Sequence, residues 1–199
     1  MRTIGALIFP EFELLDLYGP LEMFGMFADE FQIRIVAETT GPIASSMGPR
    51  TAVDDLFGQQ DYDILLIPGG RGTHRDVGNQ TLLNWLTTAA AKAEITTSVC
   101  TGSALLARAG ILDGRAATTN KNAFNWVASQ GAKTNWQPSA RWVEDGNIFT
   151  ASGVSAGIDM SLAVIARLLG QQAAVQAAQW AEYVANPDAE NDPFRITPS

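Results

Sequence analysis

The chain has little of what disulfides, zinc sites and nucleic-acid surfaces require. Its 199 residues include one cysteine and one histidine. A single cysteine cannot form an internal disulfide, which fits a reducing cytoplasm, and a conventional zinc cluster needs more Cys and His ligands. The formal charge is −8 and no Lys/Arg cluster occurs, which argues against nucleic-acid binding. We therefore expect a cytoplasmic protein with no metal and no nucleic-acid partner.

Long apolar runs and low-complexity segments are also missing. The apolar run within residues 1–10 is too short for a signal peptide or a membrane span, so we expect no membrane association. Hydrophobic residues make up 46% of the chain and charged residues 17%, as in ordinary globular proteins. A chain of this length forms one core. We predict a single domain over residues 1–185 and a C-terminal surface tail over residues 186–199.

The only cysteine stands where a strand pattern changes into a helix pattern. Val, Ile and Thr before Cys100 favour a strand, and the Ala, Leu and Arg after it favour a helix. Cys100 is therefore predicted at a sharp strand-to-helix turn, the geometry of a nucleophile elbow. A helix N-terminus favours the thiolate, so we expect a thiol pKa below the free value of ~8.5. The alternative is a small buried hydrophobic side chain, the usual state of free cysteine.

Strand and helix patterns alternate along the rest of the chain. Strands are predicted at 2–9, 31–38, 63–67, 95–99 and 115–119, around Ala132 and through 141–150, with an extended or hairpin segment at 43–54. Helices are predicted at 11–28 with a break at Gly19-Pro20, at 79–93, after Cys100 to 109, and at 122–129, 156–169 and 171–185. This order predicts a flavodoxin-like, three-layer α/β/α sandwich with a mostly parallel central sheet. Sites in such sheets lie off the carboxyl ends of strands, here in the loops after Phe9, Ile67 and Val99.

Asp16 and a glycine-rich turn lie on or near these loops. Asp16 stands among apolar residues, where desolvation raises a carboxyl pKa and suits it to proton transfer, although a structural or helix-capping Asp is the equal alternative. Gly69 and Gly70 begin a turn whose N–H groups, with that of Thr101, are candidates for an oxyanion hole over Cys100. An ordinary loop is the alternative for this turn.

His74 and the tryptophans give weaker signals. His74 lies in a polar loop and is interpreted as a surface residue, so a Cys-His dyad must use His74 or not exist. The five tryptophans are assigned by default to the core or to an interface.

Four short segments follow one another in a recognisable order: Ile-Pro-Gly-Gly (67–70), Ser-Val-Cys-Thr-Gly-Ser (98–103), Gly-Arg-Ala-Ala-Thr-Thr (114–119) and Ser-Ala-Gly-Ile-Asp (155–159). Together they resemble the PfpI/ThiJ branch of the class I glutamine-amidotransferase-like superfamily. The resemblance runs from Arg2 to about Tyr183. Within that branch the chain resembles isocyanide hydratases in particular, through Leu-Asp-Leu-Tyr-Gly-Pro (15–20) and Cys-Thr-Gly (100–102).

The resemblance implies a role for each matching residue. Cys100 matches the family's nucleophile, Asp16 the acidic residue placed against the sulfur, and Thr101 its neighbour in the active site. Gly70 matches the residue that borders the sulfur. The implied protein takes a small-molecule substrate, uses no cofactor and forms a homodimer, with contacts near residues 16–27.

Two departures separate the chain from some relatives. Asn120-Lys121 stands where many have His-Trp, which bears on the substrate pocket, and Thr101 replaces the His of peptidase-like members.

The resemblance implies an isocyanide hydratase-like lyase that works through a Cys100 thioimidate with Asp16 as general acid/base. Alternatives are a glyoxalase- or deglycase-like enzyme on small α-oxoaldehydes, and a ligand- or oxidant-sensing domain related to AraC-type regulators. No helix-turn-helix is recognised, so a complete regulator is not expected.

Overall fold

Runs of aliphatic and β-branched residues form the central sheet of the protein. The computed structural model describes residues 1–196. The strands are β1 (Arg2–Leu7), β2 (Phe31–Ala37), β3 (Ile43–Ala44), β4 (Arg50–Thr51), β5 (Asp55–Leu56), β6 (Ile64–Ile67), β7 (Ile95–Val99), β8 (Ala116–Ala117), β9 (Asn135–Trp136), β10 (Trp142–Asp145) and β11 (Ile148–Ala151). Within the described chain the main sheet has seven strands, in the order β10-β11-β7-β6-β1-β2-β5. All its neighbours pair in parallel except β10 and β11, which form an antiparallel hairpin.

Helices flank this sheet in two groups. They are α1 (Leu14–Gly25), α2 (Thr73–Asp76), α3 (Gln80–Lys92), α4 (Gly102–Arg108), α5 (Phe124–Ala128), α6 (Ala156–Leu169) and α7 (Gln171–Trp180). The helices α1, α6 and α7 pack together, and α2, α3 and α5 gather around α4. The α/β sandwich with a mostly parallel sheet is thus confirmed.

The central strands β6 and β7 are buried at every residue. Strands covered on both faces have no polar alternation, which is why their sequences read as continuous apolar or β-branched runs. The carboxyl ends of β1, β6 and β7 lie side by side because these strands are parallel neighbours. Their following loops therefore meet at one edge of the sheet, as predicted from the chain order.

The predicted helix break at Gly19-Pro20 is wrong. Helix α1 continues through Pro20, which occupies its interior and is buried. Proline removes one helical hydrogen bond, so packing must compensate. A Cβ at Gly19 would lie 2.9 Å from Ile158, and one at Gly157 would lie 3.3 Å from Pro20, so α1 and α6 approach closely at this point. Tertiary packing overrides the local signal.

Other differences concern the later part of the chain. The strand predicted around Ala132 is instead β9, which pairs with β8 in a separate two-stranded sheet. The segment predicted as a strand through 141–150 is the β10–β11 hairpin. Helix α7 ends at Trp180 rather than 185, and Glu182 adopts a left-handed φ of 49° that a continuing helix cannot contain. The hairpin predicted within 43–54 is confirmed by the antiparallel pairing of β3 with β4.

The C-terminal stretch is mostly exposed, but it is not a free surface extension. Its Asp192 is fully buried, and the carbonyl of Ala189 accepts hydrogen bonds from the N–H groups of Arg141 (2.8 Å) and Trp142 (3.3 Å). The surface-tail expectation is therefore corrected at these positions. Residues 197–199 of the predicted tail lie outside the described part of the chain.

Candidate active site

Cys100 lies at the turn between β7 and α4, in a backbone conformation that few residues adopt. Its φ is 57°, in the left-handed region that is strained for side chains with a Cβ. Both sides of its backbone are held, because its N–H donates to the carbonyl of Ser152 (2.8 Å) and its carbonyl accepts from Thr119 Oγ1 (2.8 Å). A Cβ at Gly102 would lie 2.3 Å from the carbonyl oxygen of Ile67, so the turn requires glycine there. The predicted elbow is confirmed.

Asp16 lies in the first turn of α1 and is fully buried. Its Oδ2 accepts a hydrogen bond from the Gly69 N–H at 2.8 Å. Its Oδ1 accepts no backbone N–H or hydroxyl of the described residues, and the carboxyl lies against the Cys100 thiol. Burial raises the pKa of the Asp16 carboxyl to about 7, against the lowering effect of the Gly69 hydrogen bond. The carboxyl therefore populates both protonation states near neutral pH.

The glycine turn after β6 brings α1 and the Cys100 loop together. A Cβ at Gly69 would lie 2.5 Å from the backbone nitrogen of Thr101 and 3.0 Å from Asp16 Oδ2. Gly70 has a φ of 126°, which suits glycine, and its N–H donates to Thr101 Oγ1 at 3.0 Å. The absence of a side chain at Gly69 lets Asp16 and Thr101 approach each other, whereas a Cβ at Gly70 would lie 2.3 Å from the carbonyl oxygen of Glu11.

The N–H groups of Gly69 and Gly70 were expected to form an oxyanion hole for the substrate, but both donate to protein side chains. Gly69 donates to Asp16, and Gly70 donates to Thr101, so each already has a protein partner. For Gly70 to serve a developing oxyanion, its N–H would have to exchange the Thr101 hydroxyl for the substrate. The oxyanion role of Gly70 and Thr101 stays a prediction.

Three donors surround the Cys100 sulfur. Asn120 Nδ2 lies 3.2 Å from Sγ, and the backbone N–H groups of Thr101 and Val154 also hydrogen-bond the sulfur. These bonds lower the thiol pKa, but burial, followed by the charge of Asp16, raises it by more. The net shift is upward, so the expected lowering of the Cys100 pKa is wrong. At rest the site holds a neutral thiol beside a carboxyl of near-neutral pKa.

Asn120 and Val154 are site residues that sequence reasoning did not assign. The Oδ1 of Asn120 accepts the N–H groups of Asn122 (2.9 Å) and Ala123 (3.1 Å), which fixes the Nδ2 end toward the sulfur. Asn120 carried a signal, since it stands where many relatives have His. Val154 carried none, because it meets the sulfur through its backbone N–H, a group that nearly every residue type provides.

His74 lies apart from this chemistry. It belongs to the short helix α2, is exposed, and stacks on Trp126 with ring centroids 3.7 Å apart. No hydrogen bond joins His74 to Cys100 in the described chain, so the structure forms no Cys-His dyad. The buried Thr73 beside it faces the site instead, with its hydroxyl 3.0 Å from that of Thr101.

Residues 1–196 contain neither a candidate metal cluster nor a helix suited to cross a membrane. No three His, Cys, Asp or Glu side chains there group in a way that would hold a metal ion. Nor is any helix in this range both long enough and apolar enough to cross a membrane.

Comparison with known proteins places the geometry in a family. The chain is 34% identical to an isonitrile hydratase of Pseudomonas putida, over 98% of this chain and 85% of that protein. It is 30% identical to the HTH-type transcriptional regulator CdhR of Pseudomonas aeruginosa, over 87% of this chain and 52% of the regulator. A solved ThiJ/PfpI family protein from Pseudomonas syringae superposes with a TM-score of 0.84 at 35% identity, covering 94% of this chain and 76% of that one. A model of the DJ-1/PfpI family matches residues 2–167, and the chain therefore belongs to the DJ-1/PfpI family.

Proposed function

We propose that this chain hydrates an isocyanide, R–N≡C, to the N-substituted formamide R–NH–CHO, with Cys100 as nucleophile and Asp16 as general acid and base. The similarity to an isonitrile hydratase over nearly the whole chain supports the reaction class. The observation that carries the mechanism is the contact between the buried Cys100 thiol and the buried Asp16 carboxyl, whose Oδ1 accepts no hydrogen bond from any other described residue. Such a pair can move one proton without help from solvent.

The first half of the reaction forms a thioimidate. The Asp16 carboxylate takes the proton of the Cys100 thiol, and the thiolate attacks the terminal carbon of the isocyanide, which forms the C–S bond. Asp16 then gives that proton to the same carbon, which yields R–N=CH–S–Cys100 and restores the carboxylate. The Asn120 amide and the Thr101 and Val154 N–H groups stabilise the thiolate while it exists.

The second half consumes water. The Asp16 carboxylate deprotonates a water molecule as its oxygen attacks the thioimidate carbon, and the proton passes to nitrogen. The resulting R–NH–CH(OH)–S–Cys100 breaks its C–S bond, and the electron pair leaves with the sulfur. The hydroxyl proton returns through Asp16 to the sulfur. The net change is the addition of one water, with no redox step and no cofactor.

A panel assay tests this proposal against its alternatives. The purified chain is incubated with alkyl and aryl isocyanides and, separately, with methylglyoxal, and formamide or lactate is measured by proton NMR. Formamide formation supports the hydratase, whereas lactate formation alone would assign a glyoxalase-like enzyme. Turnover of neither, with ready oxidation of Cys100 by peroxide, would favour a sensing domain, a role suggested by the similarity to the regulator CdhR.

A further inference from the structure

The C-terminal segment, residues 186–196, contains one carboxyl group that is completely removed from solvent. Asp192 is 0% exposed, whereas most of its neighbours in the segment are exposed. The segment lies beyond residues 2–167, the part matched by the family model. Burial of a carboxylate is costly unless polar partners compensate for the lost water. One of the partners of Asp192, Ser152, also contacts Cys100.

Four groups hold Asp192 in place. Its Oδ2 accepts a hydrogen bond from the Ser152 hydroxyl and lies 3.8 Å from Arg141 Nη1. Its Oδ1 accepts from the Phe194 N–H at 2.8 Å, and its own N–H donates to the carbonyl of Ser139 at 2.8 Å. Arg141 is itself buried and paired with Asp159, so its guanidinium is fixed. Asp192 therefore joins the C-terminal segment firmly to Ser152.

Ser152 begins the loop after β11, and this loop contacts the nucleophile at two points. The carbonyl of Ser152 accepts the Cys100 N–H at 2.8 Å. Two residues later, the Val154 N–H hydrogen-bonds the Cys100 sulfur. The Ser152 N–H donates to the carbonyl of Arg141 at 2.8 Å, so the hydroxyl is the part of Ser152 that depends on Asp192.

We propose that Asp192 is a positioning residue for Cys100, because by fixing Ser152 it holds the loop whose Ser152 carbonyl accepts the Cys100 N–H and whose Val154 N–H faces the sulfur. The carboxylate does not touch the sulfur and acts only through this loop. The inference rests on the proposed role of Cys100 as nucleophile, but its test needs no isocyanide. If the chain turns over no isocyanide, the proposed function fails and the positioning role can still be measured.

The test is the rate at which iodoacetamide alkylates Cys100, the only thiol in the chain, between pH 7 and pH 9. Asp192→Ala, Ser152→Ala and the double variant are compared with the parent. Loss of the Val154 donor reduces the thiolate population, and we expect alkylation about tenfold slower at each pH, the effect of one pKa unit. The double variant should be alkylated no more slowly than either single variant, because both substitutions remove the same hydrogen bond between Asp192 and Ser152. The matched control is Asp188→Ala. Asp188 is an exposed acid of the same segment, and its hydrogen bonds are to nearby residues of that segment. Cys100 in this variant should be alkylated at the parental rate.

A purely structural role for Asp192 predicts the opposite direction. A loosened fold exposes the buried thiol, so alkylation becomes faster. Alkylation of Ser152→Ala at or above the parental rate would overturn the proposal, as would additive slowing in the double variant. If Asp192→Ala fails to fold, Ser152→Ala decides the question, because it lacks only one hydroxyl.

Discussion

Burial gives the Asp16 carboxyl its chemical role. Asp16→Asn keeps the size of the side chain and an acceptor for the Gly69 N–H, but it cannot exchange a proton with Cys100 or with the substrate. General acid–base catalysis contributes ~10²–10⁴-fold, so we expect the kcat of Asp16→Asn to fall by at least about 10²-fold. Steady-state kinetics and the thermal midpoint are measured on the same preparation. A folded variant with near-parental kcat would leave Asp16 as a structural residue.

The same variant should change how stability depends on pH. The Asp16 pKa is about 7 in the folded chain and ~3.9 in an unfolded one. Between these values the folded state binds more protons, so the free energy of unfolding decreases as pH rises from about 4 to about 7. Asparagine does not titrate, so the Tm of the parent should fall relative to that of Asp16→Asn over this range. Parallel Tm curves in differential scanning fluorimetry would contradict the raised pKa.

For single residues, the sequence predicts those features of the site that depend on neighbouring residues in the chain. The elbow at Cys100 follows from a strand pattern that meets a helix pattern, and the burial of Asp16 from its apolar neighbours. Asn120 and Val154 reach the sulfur from loops far along the chain, and no local pattern marks them as its donors. The raised pKa of Cys100 was missed because it depends on burial by the whole fold.

At the scale of elements, close helix packing explains why α1 tolerates an internal proline. The sequence predicted a break at Pro20 from a local rule, while the contact between α1 and α6 depends on small residues at matching positions. Most other elements were predictable, because strands buried on both faces and amphipathic helices carry strong patterns. Strand β5 has only two residues and gives no such pattern, while β8 and β9, also of two residues each, are shorter than or displaced from the strands predicted at 115–119 and around Ala132.

Gly157 is the position in α6 where this packing can be tested. A Cβ there would lie 2.8 Å from both Cγ atoms of Val99, the residue before Cys100. Gly157→Ala should therefore destabilise the protein by about 1–3 kcal/mol, as overpacking does. Gly25→Ala is the matched control, because its Cβ would meet only Ile33 at 3.8 Å and the change removes a helix-disfavouring glycine. Urea denaturation of both variants checks the contrast, and equal destabilisation would contradict the packing account.

At the scale of the whole molecule, the homodimer expected from the family resemblance remains a prediction. Much of the expected contact, residues 16–27, is used inside the chain, since Leu17, Leu21 and Phe24 are buried. Two exposed apolar side chains lie beside it, Leu15 (43% exposed) and Met47 (63% exposed). Both line a cavity of about 490 Å³ between α1 and the β3–β4 hairpin. We expect any interface to include this surface.

Charge placed on this surface should separate the subunits. The double variant Leu15→Glu/Met47→Glu should be monomeric at micromolar concentration, because a buried unpaired carboxylate opposes association. Val184→Glu, at a 92% exposed apolar residue elsewhere, is the control and should stay dimeric. Multi-angle light scattering measures the mass of each. A parental monomer would remove the dimer prediction, and a dimeric double variant would place the interface elsewhere.

Covalent catalysis by the single cysteine is the step on which the proposed hydratase mechanism depends most. The direct measurement is the rate of formamide formation by Cys100→Ala, at the same enzyme and isocyanide concentrations as for the parent. No second thiol exists to form the thioimidate, so turnover should drop to the uncatalysed rate while the fold, checked by circular dichroism, is retained. Formamide formation by folded Cys100→Ala at a substantial fraction of the parental rate would contradict the account, because the isocyanide would then be hydrated without a bond to sulfur.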